Sequence, residues 1–145
     1  MTQSLISRLE AAAGQGNAVT VVGAVPVVAA ELARASVAVA PVRLGSGMLT
    51  KVLEAMAVGT PVVATSKALE GIPEDLHRFL HRADSPETFA TEVVNILKDP
   101  APALKTAADG LGAIRREHTW SRSVSELESL YDEAVTLSGP RTRAR

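Results

Sequence analysis

The sequence predicts an α/β fold in which helices flank a parallel sheet. Short runs of small and β-branched residues alternate with longer amphipathic stretches, and Gly or Pro residues separate many of them. Hydrophobic residues make up 46% of the chain and aromatic residues only 3%. Such a composition favours close contacts between helices and a sheet through small side chains, rather than a core filled by large side chains.

The first half of the chain predicts helices over residues 2–13 and 27–34, and strands near residues 19–22 and over 36–40. The second strand consists of small and β-branched residues, so we expect burial on both of its faces. Pro41 ends this strand. A turn over Gly45, Ser46 and Gly47, followed by Met48, leads into the next helix. Unpaired backbone N–H groups and a helix N-terminus at this point favour the binding of an anion.

The helix after the turn extends to about residue 58 and has two contrasting faces. The residues expected to face the sheet are Leu49, Val52, Leu53, Met56 and Val58, and those expected on or near the other side are Thr50, Lys51, Glu54 and Ala57. Lys51 can neutralise a phosphate, and a carboxylate at Glu54 can accept hydrogen bonds from two vicinal hydroxyls. From the spacing alone, an ordinary exposed i,i+3 ion pair is the favoured interpretation.

The second half of the chain continues the alternation. Gly59 closes the helix, and we expect a strand over 62–65, a loop over 66–75 and a strand over 78–83. Ser85, Pro86 and Glu87 predict a helix start, and Asp99-Pro100 predicts its end. Two further helices are expected over 102–117 and 121–137. We therefore predict one domain over residues 1–138 and a disordered basic tail over 139–145.

Composition excludes several classes of function. A net charge of −1 favours neither nucleic acid nor a membrane as the main partner. The chain has no Cys, which excludes disulfides, thiolate metal ligands and thiol catalysis. Charged residues, Gly23 and Pro26 interrupt the apolar run over 19–40, so it predicts no spanning segment. We expect a cytoplasmic protein, with a membrane-peripheral location as the alternative, and neither a cofactor nor a metal ion.

Other candidate residues point to structural roles. His77 and His81 have the spacing of a helical metal pair but lie in predicted loop or strand without a third ligand. Asp84 is expected in a helix cap. No catalytic nucleophile is predicted, because the candidate hydroxyl residues have no nearby Asp–His pair to act as a base. These residues are Ser46, Thr50, Thr65 and Ser66.

The segment from Gly45 to Thr65 reads Gly-x-Gly-x-x-x-Lys-x-Leu-Glu-Ala-Met-Ala-x-Gly-x-Pro-Val-Val-Ala-Thr. It resembles the donor-site signature of GT-B glycosyltransferases of the group 1 or family 4 type, in their C-terminal, donor-binding domain. The resemblance extends more weakly to both sides of this segment and implies a Rossmann-like sheet. It also implies transfer of a sugar from a nucleoside-diphosphate sugar, with UDP, GDP or ADP as the nucleotide, to a glycan or lipid-linked acceptor. Metal-independent, retaining transfer in polysaccharide biosynthesis follows from the same resemblance.

The resemblance implies roles for individual residues. Glu54 matches the Glu that binds the ribose hydroxyls, and Lys51 matches a Lys that contacts the diphosphate. Many relatives carry a second Glu eight positions before the first, where this chain has Ser46. Arg43 either adds phosphate-binding charge or is a solvated side chain, and the two interpretations stand about even. A Trp at the position of Trp120 packs the closing helices in such enzymes, so we expect it to be buried or half-buried.

The predicted strands resemble the third to sixth of the family's donor domain, whose usual order is 3-2-1-4-5-6. On this comparison two central strands and the acceptor-binding domain are missing. We therefore expect a partial chain that is marginally stable, self-associates through a sheet edge or needs a complementing polypeptide. A direct pairing of the strands near residues 19 and 36 is the alternative.

Two other functions remain open on the sequence. One is a non-catalytic remnant or nucleotide-binding interaction module, which the Ser at position 46 favours. The other is an unrelated doubly wound domain for a different phosphate ligand.

Overall fold

The computed structural model describes residues 22–45 and 50–138, together with positions 7, 11 and 20. The elements in chain order are helix α1 (Val28–Arg34), strand β1 (Ala38–Ala40), helix α2 (Thr50–Ala57), strand β2 (Val62–Ala64), helix α3 (Ser66–Leu69), a 3₁₀ helix (Glu74–Phe79), strand β3 (His81–Arg82), and helices α4 (Pro86–Lys98), α5 (Pro100–Glu117) and α6 (Trp120–Ser138).

The three described strands form one parallel sheet in the order β1-β2-β3. Val39 pairs with Val63, and Val63 pairs with His81. The predicted α/β class with a Rossmann-like parallel sheet is confirmed. In a sheet of the order 3-2-1-4-5-6 the last three strands also lie next to one another in chain order, and the order observed here agrees with that pattern.

Strand β2 is the central strand and is buried on both faces. Val62 and Ala64 belong to a core that also contains Met56 and Leu76, whereas Val63 belongs to a second cluster with Ile96. The sheet therefore lies between two apolar layers, as residues alternating across a strand require. On β1 the prediction of burial on both faces is wrong, because Val39 is 54% exposed. Within the described part of the chain, β1 is an edge strand and Val39 has no place in either core cluster.

Several predicted boundaries are confirmed. Helix α4 begins after Ser85, whose hydroxyl accepts a hydrogen bond from Thr88 N–H, while the Thr88 hydroxyl accepts one from Ser85 N–H. The helix ends before Asp99, as predicted, whereas α5 starts at Pro100, two residues before the predicted start. Gly59 follows α2 with a φ of 76°, a conformation that L-residues rarely adopt. These boundaries depend on local turn and capping chemistry, which is why the sequence predicts them.

The predicted loop over residues 66–75 and the predicted strand over 78–83 are largely wrong. Residues 66–69 form α3, residues 74–79 form the 3₁₀ helix, and strand pairing is confined to residues 81–82. Helix α3 is capped at two points. Thr65 Oγ1 accepts from Ala68 N–H at 3.2 Å, and Asp84 accepts from both the backbone N–H and the hydroxyl of Ser66 at 2.7 Å. The expectation that Asp84 lies in a helix cap is confirmed, but the helix that it caps lies eighteen residues away, so local sequence could not reveal which helix this is.

The Asp84 carboxylate should stabilise the fold in a pH-dependent way. The Ser66 hydroxyl and then the Ser66 backbone N–H lower the pKa of Asp84. A lowered pKa in the folded state means that the stabilisation is present above the unfolded pKa and is lost as pH falls through the folded pKa. We expect Asp84→Asn to lower the melting temperature at neutral pH, because a carboxylate acceptor is exchanged for a neutral amide.

Thermal unfolding followed by circular dichroism at neutral and strongly acidic pH measures this effect. The difference from wild type should shrink in acid, and Asp109→Asn on the exposed side of α5 should show no such trend. A melting temperature of Asp84→Asn equal to wild type at neutral pH would contradict the role given to this cap.

The C-terminal helices differ in how they pack. Helix α5 packs against α2, α4 and the 3₁₀ helix through small residues. Those of its residues that are buried are Ala103, Ala107, Gly110 and Ala113. Helix α6 is exposed at every residue from 120 to 137. The expectation that Trp120 is buried or half-buried is wrong, because it is 87% exposed and no described element covers it.

Some predictions lie outside the described residues. They concern the tail over 139–145, most of the helix over 2–13 and half of the strand near 19–22. Ser7 and Ala11 are helical, and Thr20 and Val22 are not in a strand. None of the described helices has both the length and the apolar character that crossing a bilayer requires.

Candidate functional site

Helix α2 presents Lys51 and Glu54 on its accessible face. Val52, Ala55 and Met56 of the same helix are buried against the sheet and α5. Lys51 Nζ lies 3.3 Å from Glu54 Oε2, and the two side chains are 63% and 40% exposed. The structure thus confirms that both residues share one face, and it shows the i,i+3 ion pair that the spacing favours.

A second candidate, Arg43, lies at the carboxyl ends of the strands. It borders a depression of about 240 Å³ that residues following all three strands help to form. The residues lining this depression are Pro41, Arg43, Thr65, Asp84, Ser85, Pro86, Phe89 and Ala90. The pKa of Glu87 is lowered by its own backbone N–H, by the Ser85 hydroxyl and, to a smaller extent, by Arg43. Arg43 therefore lies near the start of α4.

The glycine turn between β1 and α2 is described only in part. Gly45 is exposed with a φ of 140°, and a Cβ added there would meet nothing within 4 Å. A side chain is excluded at this position by backbone conformation rather than by crowding. Ser46, Gly47 and Met48 lie outside the described residues, so their predicted contacts with the donor stay predictions.

Glu54 borders a larger cleft of about 480 Å³ between α2 and the junction of α5 with α6. The residues that line it are Thr50, Leu53, Glu54, Ala57, Pro73, Ile114, His118 and Trp120. His118 Nε2 lies 3.1 Å from Asp75 Oδ2, which ties this junction to the 3₁₀ helix. The cleft combines an apolar lining with a carboxylate and one exposed aromatic ring.

The hydroxyl groups at the end of β2 have structural partners. Thr65 Oγ1 donates to the carbonyl oxygen of Val42 at 2.6 Å, and the Ser66 hydroxyl donates to Asp84. Thr65 borders the depression at the strand ends, and its lining contains no His. Both hydroxyls therefore have hydrogen-bond partners within the protein at the start of α3.

The two histidines with metal-pair spacing have separate contacts. His77 Nε2 lies 3.0 Å from the carbonyl oxygen of Ile72, and His81 Nδ1 lies 3.3 Å from Glu92 Oε2. Within residues 22–45 and 50–138 and the three isolated positions, no three potential metal ligands converge.

Comparison with known families agrees with the signature on α2. The family model described as "Glycosyl transferases group 1" matches residues 2–99, which is more than half of the chain. The chain belongs to this family. No curated protein and no solved structure matches it. A glycosyltransferase-like function follows from membership of the family.

The group 1 glycosyltransferase chain thus brings two of its predicted site residues together. Lys51 and Glu54 are adjacent on α2. Arg43 borders the depression at the strand ends, which has no lining residue in common with the cleft beside Glu54. Sequence reasoning missed the position of Trp120 beside Glu54. The two residues are far apart in the chain, and no local pattern links them.

Proposed function

We propose that this chain supplies the donor-binding part of a group 1 glycosyltransferase and binds the nucleoside diphosphate of a sugar donor. The observation that carries the proposal is the pair Lys51 and Glu54, adjacent on the accessible face of α2, and the sequence Gly45-Ser46-Gly47 precedes this helix. In the proposed complex Lys51 contacts the diphosphate and Glu54 accepts hydrogen bonds from the ribose hydroxyls.

The pair must separate partly when a donor binds. An exposed ion pair contributes only about 0.2–1 kcal/mol, since water and salt screen the charges. A hydrogen bond to a charged group contributes about 1.5–3 kcal/mol, so contacts with the ribose and the phosphate more than offset its loss. The same two side chains can therefore form a surface ion pair and a binding site.

The proposed contribution of this chain to transfer is electrostatic. Negative charge develops on the leaving diphosphate as its bond to the sugar breaks. Lys51, backbone N–H groups of the glycine turn and, in one of the two interpretations, Arg43 would stabilise that charge. We propose metal-independent, retaining transfer in polysaccharide biosynthesis, with the acceptor bound by a further domain. The identity of the nucleotide among UDP, GDP and ADP and the association with a second polypeptide also stay predictions.

A non-catalytic nucleotide-binding module is the second candidate. Ser46 favours it, because many relatives are expected to carry a Glu at this position and a Ser lacks that negative charge. Both candidates bind nucleotide, and only the enzyme releases nucleoside diphosphate from a sugar donor when an acceptor and any complementing polypeptide are supplied.

Calorimetric titration with UDP, GDP and ADP tests the binding common to both candidates. We expect one nucleotide to bind saturably and Glu54→Ala to weaken it about tenfold, the equivalent of one hydrogen bond to a charged group. Glu70→Ala is the matched control, because Glu70 forms the same i,i+3 ion pair with Lys67 on α3 and is 62% exposed.

Inorganic pyrophosphate serves as the comparison ligand, since it has no ribose. It should bind Glu54→Ala at least as tightly as wild type, because the variant lacks the carboxylate that pairs with Lys51. Equal nucleotide affinities for Glu54→Ala and Glu70→Ala would contradict the role of Glu54. A folded wild-type chain that binds none of the three nucleotides would contradict the proposed function as a whole.

A further inference from the structure

We propose that helix α6 is an interaction surface and that its partner is α6 of a second copy of this chain, in an antiparallel pair. The proposal does not depend on donor binding, because no residue of the donor signature belongs to this surface. The surface is the apolar stripe of α6, which consists of Trp120, Val124, Leu127, Leu130, Tyr131, Ala134 and Leu137.

The apolar stripe follows the repeat of a coiled-coil helix. Residues 120, 124, 127, 131 and 134 are separated by alternating steps of four and three, which is the spacing of heptad positions a and d. Leu130 and Leu137 widen the stripe along one side. The opposite side of the helix is polar and carries Arg122, Ser125, Glu126, Ser129, Asp132 and Glu133. A helix of 19 residues with this pattern is typical of one that buries a single face against a partner.

The described part of the chain leaves the apolar stripe uncovered. The exposed fraction is about half at Val124 and Leu127, and it rises to 64% at Tyr131 and 79% at Leu137. Contact with the rest of the molecule therefore decreases along the helix. The segment over 139–145 contains only Gly, Pro, Arg, Thr and Ala, so it has no large apolar side chain with which to cover the stripe.

The area of the apolar stripe matches what a dimer needs. An aromatic side chain can bury about 150–250 Å² and an aliphatic one about 60–120 Å². Scaled by their exposed fractions, the six large side chains of the stripe can bury about 350–650 Å² in each copy, or about 700–1,300 Å² in a pair. A specific interface buries about 1,200–2,000 Å² in total, and about 65% of a homodimer interface is apolar. Two stripes therefore supply the apolar part of such an interface.

The charges on α6 favour the antiparallel orientation. Residues 120–125 carry one charge, that of Arg122, whereas the part that follows is acidic through Glu126, Glu128, Asp132 and Glu133. A parallel pair would place the two acidic parts side by side, where they repel. An antiparallel pair places each acidic part beside the Arg122 end of the other copy and aligns the helix dipoles favourably. With full overlap, Val124 faces Ala134 of the second copy and Leu127 faces Tyr131 of the second copy.

Sedimentation equilibrium of the full chain over a range of concentrations measures this association. We expect wild type to form a reversible dimer. Leu130→Lys and Tyr131→Lys should each raise the dissociation constant at least tenfold, because the dimer would bury an unpaired charge. Ser125→Lys is the matched control, since it adds the same charge on the polar side of α6 and should change the constant less than about twofold. All three positions are exposed, so the variants should fold as wild type does, and circular dichroism checks this.

Crosslinking tests the orientation of the pair, because the chain has no Cys and single Cys variants report on one position each. A mixture of Val124→Cys and Ala134→Cys chains should form a mixed disulfide with a mild thiol oxidant, since an antiparallel pair brings these positions together. Each variant alone should crosslink far less. Efficient crosslinking of each variant with itself would show a parallel pair and overturn the proposed arrangement.

The outcomes distinguish the α6 pair from other ways of associating. A wild-type chain that sediments as a monomer at every concentration would overturn the proposal. A dimer that Val39→Lys dissociates and Leu130→Lys does not would also overturn it, because association would then use the edge strand β1, where Val39 is 54% exposed. A dimer lost in Leu130→Lys and Tyr131→Lys but kept in Ser125→Lys and Val39→Lys would support it.

Discussion

Leu76→Ala is expected to cause the largest loss of stability of any single change considered, about 2–5 kcal/mol. Leu76 is 0% exposed and is the largest of the fully buried side chains in the described part of the chain. It lies in the 3₁₀ helix and packs in the same core as Met56 and Val62. Truncation removes buried methyl groups and leaves a cavity that a core of small residues cannot easily fill.

Urea unfolding at equilibrium measures this loss. Leu76→Met, which nearly preserves the volume, should cost less than about 1.5 kcal/mol. Leu104→Ala on α5 provides the matched control, since Leu104 is 49% exposed and its truncation should change the free energy of unfolding by less than about 0.5 kcal/mol. Similar losses for Leu76→Ala and Leu104→Ala would show that the 3₁₀ helix is not anchored in the core as described.

Gly110→Ala is expected to destabilise the chain by about 1–3 kcal/mol, the usual effect of overpacking. Helix propensity alone predicts the opposite change in stability, because Ala in a helix interior is about 1 kcal/mol more favourable than Gly. A Cβ at Gly110 would lie 2.9 Å from Phe79 Cβ and 3.3 Å from Met56 Cε. Because Phe79 Cβ is attached to the backbone, relief requires α5 to move away from the 3₁₀ helix.

Gly112→Ala is the matched control on the same helix. A Cβ at Gly112 would meet only the end of the flexible Arg116 side chain, with Nη1 at 3.2 Å, which can rotate away. We expect this variant to be neutral or more stable by up to about 1 kcal/mol. Thermal and urea unfolding of the two variants decide the question, and a gain in stability from Gly110→Ala would contradict the close helix packing.

The pair Gly110 and Gly112 shows how much of the fold depends on distant contacts. The sequence predicts one helix across both residues, and the structure confirms it. Nothing in the local sequence distinguishes the two glycines. Only Gly110 must lack a side chain, because Phe79 of the 3₁₀ helix and Met56 of α2 pack closely against α5 at this position.

The candidate site divides in a similar way. The spacing of Lys51 and Glu54 predicts a shared helix face, since residues three apart in a helix are neighbours. The position of Arg43 beside the start of α4 could not be predicted, because it depends on the path of the chain after β1 and on the position of α4. The prediction that Trp120 is buried or half-buried is wrong, because the exposure of a side chain on α6 depends on what packs against that helix and not on the periodicity of its sequence.

The sequence alone determined the α/β class, the ends of α4, the closing turn at Gly59 and the membership of the glycosyltransferase family. Each of these depends on residues within one or two turns of each other or on a contiguous signature. The tertiary structure alone decided that Asp84 caps α3, that β1 is exposed on one face and that Trp120 borders the cleft beside Glu54. Those features arise from contacts between residues far apart in the chain, whose energies no local pattern encodes.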